Sequence, residues 1–259
     1  MGGEATPRRS DRRLEAEWLA AVGASALLAG AGSAVLAGAA GAAAAQHWLL
    51  VAGLVVAAEL GYLGVLLARG GPGLVSKGTL GAANAVTLLR GVLYAAAGGF
   101  LFVVPASPAV RWAPALCYGA GAALDFVDGQ VAKRAEGASD LGERLDQAFD
   151  VIGMLVAPLV GVAWGRLPVW YLALSVAPFA FRAGQWWWRR AGRPVHPLPE
   201  SPLRRRLAAF QMAFVAAALA PVVPASVVHP AATVALVPSL ALFLRDWLAV
   251  SGWRARHEE

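Results

Sequence analysis

Residues 112–165 read WAPALCYGAGAALDFVDGQVAKRAEGASDLGERLDQAFDVIGMLVAPLVGVAWG, and this stretch decides the fold. Uncharged runs at 112–124 and 151–165 flank a charged centre. With helical ends added, each run is long enough to cross a hydrocarbon core of about 30 Å at about 1.5 Å per residue. Four acids stand where the runs meet the centre: Asp125 and Asp128 close the first, and Asp146 and Asp150 open the second. On a helix, i,i+3 and i,i+4 pairs share a face, so each helix end presents two carboxylates together. The 17 residues between Asp128 and Asp146 suffice for a turn and a short connecting segment. Two such helices entering a membrane side by side bring four carboxylates into one pocket.

The rest of the chain has the same character. Of 259 residues, 58% are hydrophobic and 15% charged, against roughly 25% charged in an ordinary soluble domain. Between Glu17 and Glu59 there are 41 consecutive uncharged residues, and between Arg206 and Arg245 there are 38. A water-soluble globule is excluded, and an all-α, polytopic integral membrane protein is expected. Eight spans are predicted, at 18–41, 47–68, 84–104, 109–128, 145–165, 168–187, 207–224 and 231–250. Pro221, Pro224 and Pro230 divide the last long stretch, whereas the Ala- and Gly-rich 18–45 leaves its exit point open. The ten Trp, including Trp186, Trp187 and Trp188 beside Arg189 and Arg190, read as an interfacial belt. The lone Cys117 forms no internal disulfide, and His47, His196, His229 and His257 make no metal-ligand spacing.

Eight spans put both termini on one side. With the N-terminus inside, Arg111 and Arg166 are the basic residues left outside among the 22 Lys and Arg, so both termini and the acidic pocket are expected on the cytoplasmic side of a cell (inner) membrane. The opening PRRSDRR reads as a cytoplasmic basic tail, 1–17, and residues 252–259 as a second tail. The net charge of +6 is topology and attraction to anionic membrane lipids; no nucleic acid partner is expected.

Clustered carboxylates at that depth need compensation, because like charge and desolvation both disfavour ionisation. Hard divalent cations supply it: Mg²⁺ or Mn²⁺ binds a few carboxylates together with substrate phosphates, and two ions side by side clamp a phosphoryl group for displacement. Gly129 and Gly142 put residues without side chains beside the acids, where a diphosphate needs close backbone approach.

These residues resemble the signature of the CDP-alcohol phosphotransferase (CDP-alcohol phosphatidyltransferase) family: DxxDGxxAR, eight residues, then GxxxDxxxD. Asp125, Asp128, Gly129, Ala132, Gly142, Asp146 and Asp150 match, and Lys133 stands where the family usually has Arg, keeping the charge without the bidentate fork. Upstream, NAVTLLRG places Asn84, Thr87 and Arg90 like the family's Asn-x-x-Thr-x-x-Arg motif. The resemblance implies a six-helix core over 83–251, with 18–69 an added N-terminal transmembrane pair. It implies that Asp125, Asp128 and Asp146 bind one metal ion, and Asp125, Asp146 and Asp150 a second. Asp150 is then the general base that deprotonates an acceptor alcohol for attack on the β-phosphorus of a CDP-linked donor, releasing CMP. Asn84, Thr87, Gly129, Ala132, Lys133, Ser139 and Gly142 hold the cytidine diphosphate. A homodimer is a further implication.

The expected reaction is transfer of a phosphatidyl group from a CDP-linked lipid, CDP-diacylglycerol, to a small alcohol in phospholipid biosynthesis. Two other readings stay open: transfer of a soluble CDP-linked headgroup to a lipid alcohol, and a cation-binding transporter. Candidate acceptor contacts are Arg204, Arg205, Arg206, Gln211 and Asp246; positive-inside anchoring competes for the arginines, helix packing for Gln211, and pairing with Arg245 for Asp246. Arg90 either pairs with an active-site carboxylate or binds donor phosphate. Glu59 lies within the second span with no identified partner.

Overall fold

The computed structural model describes residues 9–70, 74–75, 79–132, 139–198 and 201–252, with side chains described from residue 12 onward except over 127–132. Among the described residues are eight α-helices and no strand: α1 Arg9–Ala40, α2 Ala42–Arg69, α3 Gly81–Gly98, α4 Ala113–Ala132, α5 Asp140–Ala163, α6 Leu172–Arg190, α7 Pro202–Leu219 and α8 Ala225–Val250. Each stands where a span is predicted. The segments Arg12–Ala40, Ala42–Arg69, Gly81–Phe102, Asp140–Ala163 and Ala225–Val250 are long and apolar enough to cross a membrane by length and composition. The chain is an all-α integral membrane protein. The shorter α4, α6 and α7 complete the bundle, α4 against α3 and α7, α6 against α5 and α8.

Four boundaries differ from the expectation, each for a local reason. The first hairpin turns at Gly41 alone, whose φ of 90° is a left-handed conformation that costs glycine little; α2 thus starts well before 47. Pro230 does not divide the last stretch but lies inside α8 together with Pro238, each removing one intrahelical donor that a 26-residue helix packed against its neighbours tolerates. The break falls instead at 220–224. Helix α5 begins at Asp140 rather than 145 because Ser139 caps it, accepting a hydrogen bond from the Gly142 amide at 3.1 Å, with Asp140 and Glu143 in the first turn. Charges that read as a loop are the polar first turn of a helix. Likewise Ser201 and Pro202 start α7 early, so Arg204, Arg205 and Arg206 are helical.

Packing is centred on α3. A side chain on Gly153 of α5 would fall 2.7 Å from the Tyr94 ring, and one on Gly121 of α4 2.5 Å from its other edge, so the two glycines admit Tyr94 between the helices. Several tryptophans tie helices together: Trp18 donates to the Leu60 carbonyl (3.0 Å), Trp48 to Ala96 (2.9 Å) and Trp164 to Phe100 (3.0 Å). In an apolar solvent such donors need internal partners, and backbone carbonyls of neighbouring helices supply them. Trp186 and Trp187 remain exposed. Arg166 donates to the carbonyls of Ala218, Ala220 and Val223, closing α5–α6 onto the end of α7, and Arg111 donates to Pro105 at 2.8 Å. Arg90 of α3 joins the acids near the end of α4 and the start of α5, and Arg204 at the start of α7 joins Asp246 near the end of α8.

Candidate active site

Arg90 organises the site. It sits on the buried face of α3 that also carries Asn84, Thr87, Gly91 and Tyr94, a polar i, i+3, i+6/i+7 stripe in an otherwise apolar helix. Its side chain is 1% exposed. One terminal nitrogen donates to Asp125 Oδ1 of α4 at 2.5 Å. The other pairs with Asp146 Oδ1 (2.7 Å) and Asp150 Oδ1 (3.0 Å) of α5 and reaches the Asp146 carbonyl at 3.3 Å. Oxygens of these three aspartates all lie within 4.8 Å of one another. The carboxylates are 32%, 45% and 37% exposed, so the trio is closed underneath by the guanidinium and open above. Of the two roles open for Arg90, the structure gives the carboxylate pairing.

The arrangement follows from chain geometry. Asp146 and Asp150 share a face of α5 one turn apart, and α3 packs against both α4 and α5, so a long cation on α3 spans the acids of both. Three acids against one guanidinium leave a half-exposed cleft of hard oxygen donors that could hold a metal ion.

Asn84 is buried and donates to the Leu80 carbonyl at 2.7 Å. A side chain on Gly142 would fall 2.9 Å from Asn84 Oδ1 and 3.3 Å from Ser139 Oγ, so Asn84, Ser139 and Gly142 adjoin. Thr87, also buried, bonds the Ala83 carbonyl at 3.3 Å. Asp128, Gly129 and Ala132 lie on the last turns of α4, where side chains are not described; Lys133 lies outside the described residues.

A second polar cluster joins α7 to α8. Asp246, buried, accepts from Arg204 (2.9 Å to Nε, 2.8 Å to Nη2) and from Arg245 (2.8 Å), which also reaches Ser201 Oγ at 3.3 Å. Arg205 and Arg206 are exposed beside it. Gln211 is not brought to this cluster: it is buried among α7, α8 and the Tyr171 turn, accepting from the Tyr171 hydroxyl and donating to Ala235 O (2.6 Å) and Ser239 Oγ (2.9 Å).

The sequence profile described as CDP-alcohol phosphatidyltransferase matches residues 80–255, from the start of α3 to beyond α8. The chain belongs to this family. Curated relatives are named "Putative cardiolipin synthase" in Mycobacterium bovis and in two strains of Mycobacterium tuberculosis; each is 30% identical over 113 residues, covering 44% of this chain and 52% of the relative. The chain thus matches about half the length of these relatives. No solved structure gives a significant match. Helices α1 and α2 precede the family match.

Proposed function

We propose that this family member transfers a phosphatidyl group from CDP-diacylglycerol to the hydroxyl of a phosphate-bearing acceptor alcohol, releasing CMP, on the cytoplasmic face of the cell membrane. The trio of Asp125, Asp146 and Asp150 gathered on Arg90 carries the reading. Octahedral Mg²⁺ at about 2.0–2.1 Å sets its ligand oxygens roughly 3–4 Å apart, and a set within 4.8 Å with partly exposed faces fits after small side-chain movements. Asp125, Asp128 and Asp146 would hold one Mg²⁺ or Mn²⁺ ion, and Asp125, Asp146 and Asp150 a second. Bound there, the ions supply charge neutralisation for the diphosphate and for departing CMP.

The chain's own groups do the rest. Asn84, Thr87, Gly129, Ala132, Lys133, Ser139 and Gly142 bind and orient the cytidine diphosphate; Asn84 and Ser139 crowd Gly142 so closely that backbone, not side chain, faces the ligand there. Asp150 accepts the acceptor's hydroxyl proton. The acceptor oxygen bonds to the β-phosphorus, the bond from that phosphorus to CMP breaks, and CMP leaves with both electrons. Arg204, steadied by Asp246, and the exposed Arg205 and Arg206 bind the acceptor's phosphate. Gln211, already hydrogen-bonded to Tyr171, Ala235 and Ser239, is assigned to helix packing. A homodimer belongs to the same reading.

The test is CMP release by purified protein in liposomes with CDP-diacylglycerol, Mg²⁺ or Mn²⁺, and a panel of acceptors: glycerol phosphate, inositol phosphate, phosphatidylglycerol, inositol and serine. Phosphatidylglycerol is included because the relatives' name points to cardiolipin, a lipid with two phosphatidyl groups on one glycerol. CMP formed with a phosphate-bearing acceptor, and a new lipid, supports the proposal. CMP formed only with inositol or serine refutes the phosphate-bearing acceptor. No CMP with any acceptor, from folded protein, refutes the donor and moves the reading to soluble CDP-linked headgroups.

A further inference from the structure

Among the described residues, three buried side-chain atoms have no hydrogen-bond partner: Glu59 Oε1, Arg90 Nε and Tyr94 Oη. They belong to one place. Glu59 lies on α2, 2% exposed, and its carboxylate rests against Gly91, where a β-carbon would fall 2.7 Å from Oε2 and 2.9 Å from Cδ. The same β-carbon would fall 2.7 Å from Phe149 Cε2. The Glu59 carboxylate and the Phe149 ring thus both lie against Gly91, the neighbour in sequence of Arg90. Among the described residues, the ion pairs of Arg90 run to Asp125, Asp146 and Asp150, and Glu59 stands beyond ion-pair distance of it. Tyr94 lies one turn further along the same face of α3.

A carboxylate inside a membrane helix interface is costly unless paired, and apolar contacts of α2 with α3 need no acid there. The unpartnered groups are complementary: a guanidinium N–H donor and a carboxylate acceptor, with a hydroxyl that does either. Both terminal nitrogens of Arg90 face the aspartates on one side; its Nε is left for the other side. We propose that Glu59, from the N-terminal pair outside the family match, is a positioning residue for the acidic site. It acts through Arg90 without a direct bond to it, its carboxylate offsetting the positive charge of the guanidinium across Gly91. Metal affinity at Asp125, Asp146 and Asp150 then depends on a residue that touches none of them. This inference rests on the metal reading of the trio.

The test is Mn²⁺ binding to the full-length protein in detergent or nanodiscs, followed by electron paramagnetic resonance, with thermal unfolding in EDTA measured beside it. Glu59→Gln keeps the shape and removes the charge. It is expected to weaken Mn²⁺ binding about tenfold, the scale of one coupling between neighbouring charges in a partly buried site, while unfolding in EDTA is little changed. Glu59→Asp, which retracts the carboxylate by one methylene, is expected to fall between, and carries the test if Glu59→Gln does not fold. In an Arg90→Met background, Glu59→Gln is expected to change Mn²⁺ affinity by less than about twofold. An unchanged Mn²⁺ affinity for both Glu59 variants overturns the inference, as does a lowered unfolding temperature in EDTA with affinity intact, which marks a packing role. A full tenfold effect persisting without Arg90 overturns the route through Arg90. Wild-type protein that binds no Mn²⁺ removes the metal reading, and the inference with it; wild-type binding without CMP release separates failure of the reaction from failure of the site.

Discussion

Replacing Arg90 with Met removes the charge that Asp125, Asp146 and Asp150 share and keeps much of the side-chain volume. Breaking a buried pair by deleting one partner costs about 3–5 kcal/mol because a charge is left uncompensated. Here the deleted cation is 1% exposed, but the three carboxylates are 32%, 45% and 37% exposed, so water screens part of their repulsion. The low end, about 3 kcal/mol, is the appropriate figure for the metal-free protein. At roughly 2–4 °C per kcal/mol for a chain of this size, the unfolding midpoint in EDTA should fall by about 6–12 °C. The ten tryptophans report it by intrinsic fluorescence. Saturating Mg²⁺ or Mn²⁺ should recover most of the loss, since divalent charge takes over the role of the guanidinium, whereas wild type should gain less. An equal fall with and without metal would refute this reasoning and make Arg90 a packing residue. No fall in EDTA would mean that the ion pairs with Asp125, Asp146 and Asp150 contribute nothing.

Asp150→Asn should abolish CMP release while leaving a folded protein, measured by turnover alongside thermal unfolding; retained turnover removes Asp150 from the proton-accepting role. Arg204→Gln breaks the pairing with Asp246 and should raise the KM for a phosphate-bearing acceptor about tenfold with the KM for CDP-diacylglycerol little changed, read from initial rates with each substrate varied. Ser139→Ala removes the cap on the Gly142 amide and should cost about 1 kcal/mol, a fall of roughly 2–4 °C in the unfolding midpoint. Gly153→Val, which drives a side chain into the Tyr94 ring from a β-carbon position already 2.7 Å away, should lower the midpoint by more than the Ser139 change does.

Composition and charge spacing by themselves determine that this is a helical membrane protein, because 41 consecutive uncharged residues lack the apolar–polar alternation of barrel strands, and a helix satisfies its own backbone in lipid. The spacing of Asp125, Asp128, Asp146 and Asp150 likewise sets the acids on matching helix faces, since i,i+3 and i,i+4 periodicity is a local property. What lies at helix ends is harder to read: Asp140, Glu143 and Arg204 have the composition of loops, and only the Ser139 and Ser201 caps reveal them as first turns. The roles of Arg90 and Glu59 are not local at all. Arg90 meets Asp125 across 35 residues and Asp150 across 60, and Glu59 reaches the same place from a helix outside the family match. A signal for Arg90 was present in the polar stripe of Asn84, Thr87 and Arg90, but the sequence left both a carboxylate and a phosphate as its partner. Which one it meets depends on which helices touch. That is decided by where Gly91, Gly121 and Gly153 let helices approach, a matter of packing between distant segments that no periodicity within a single segment encodes.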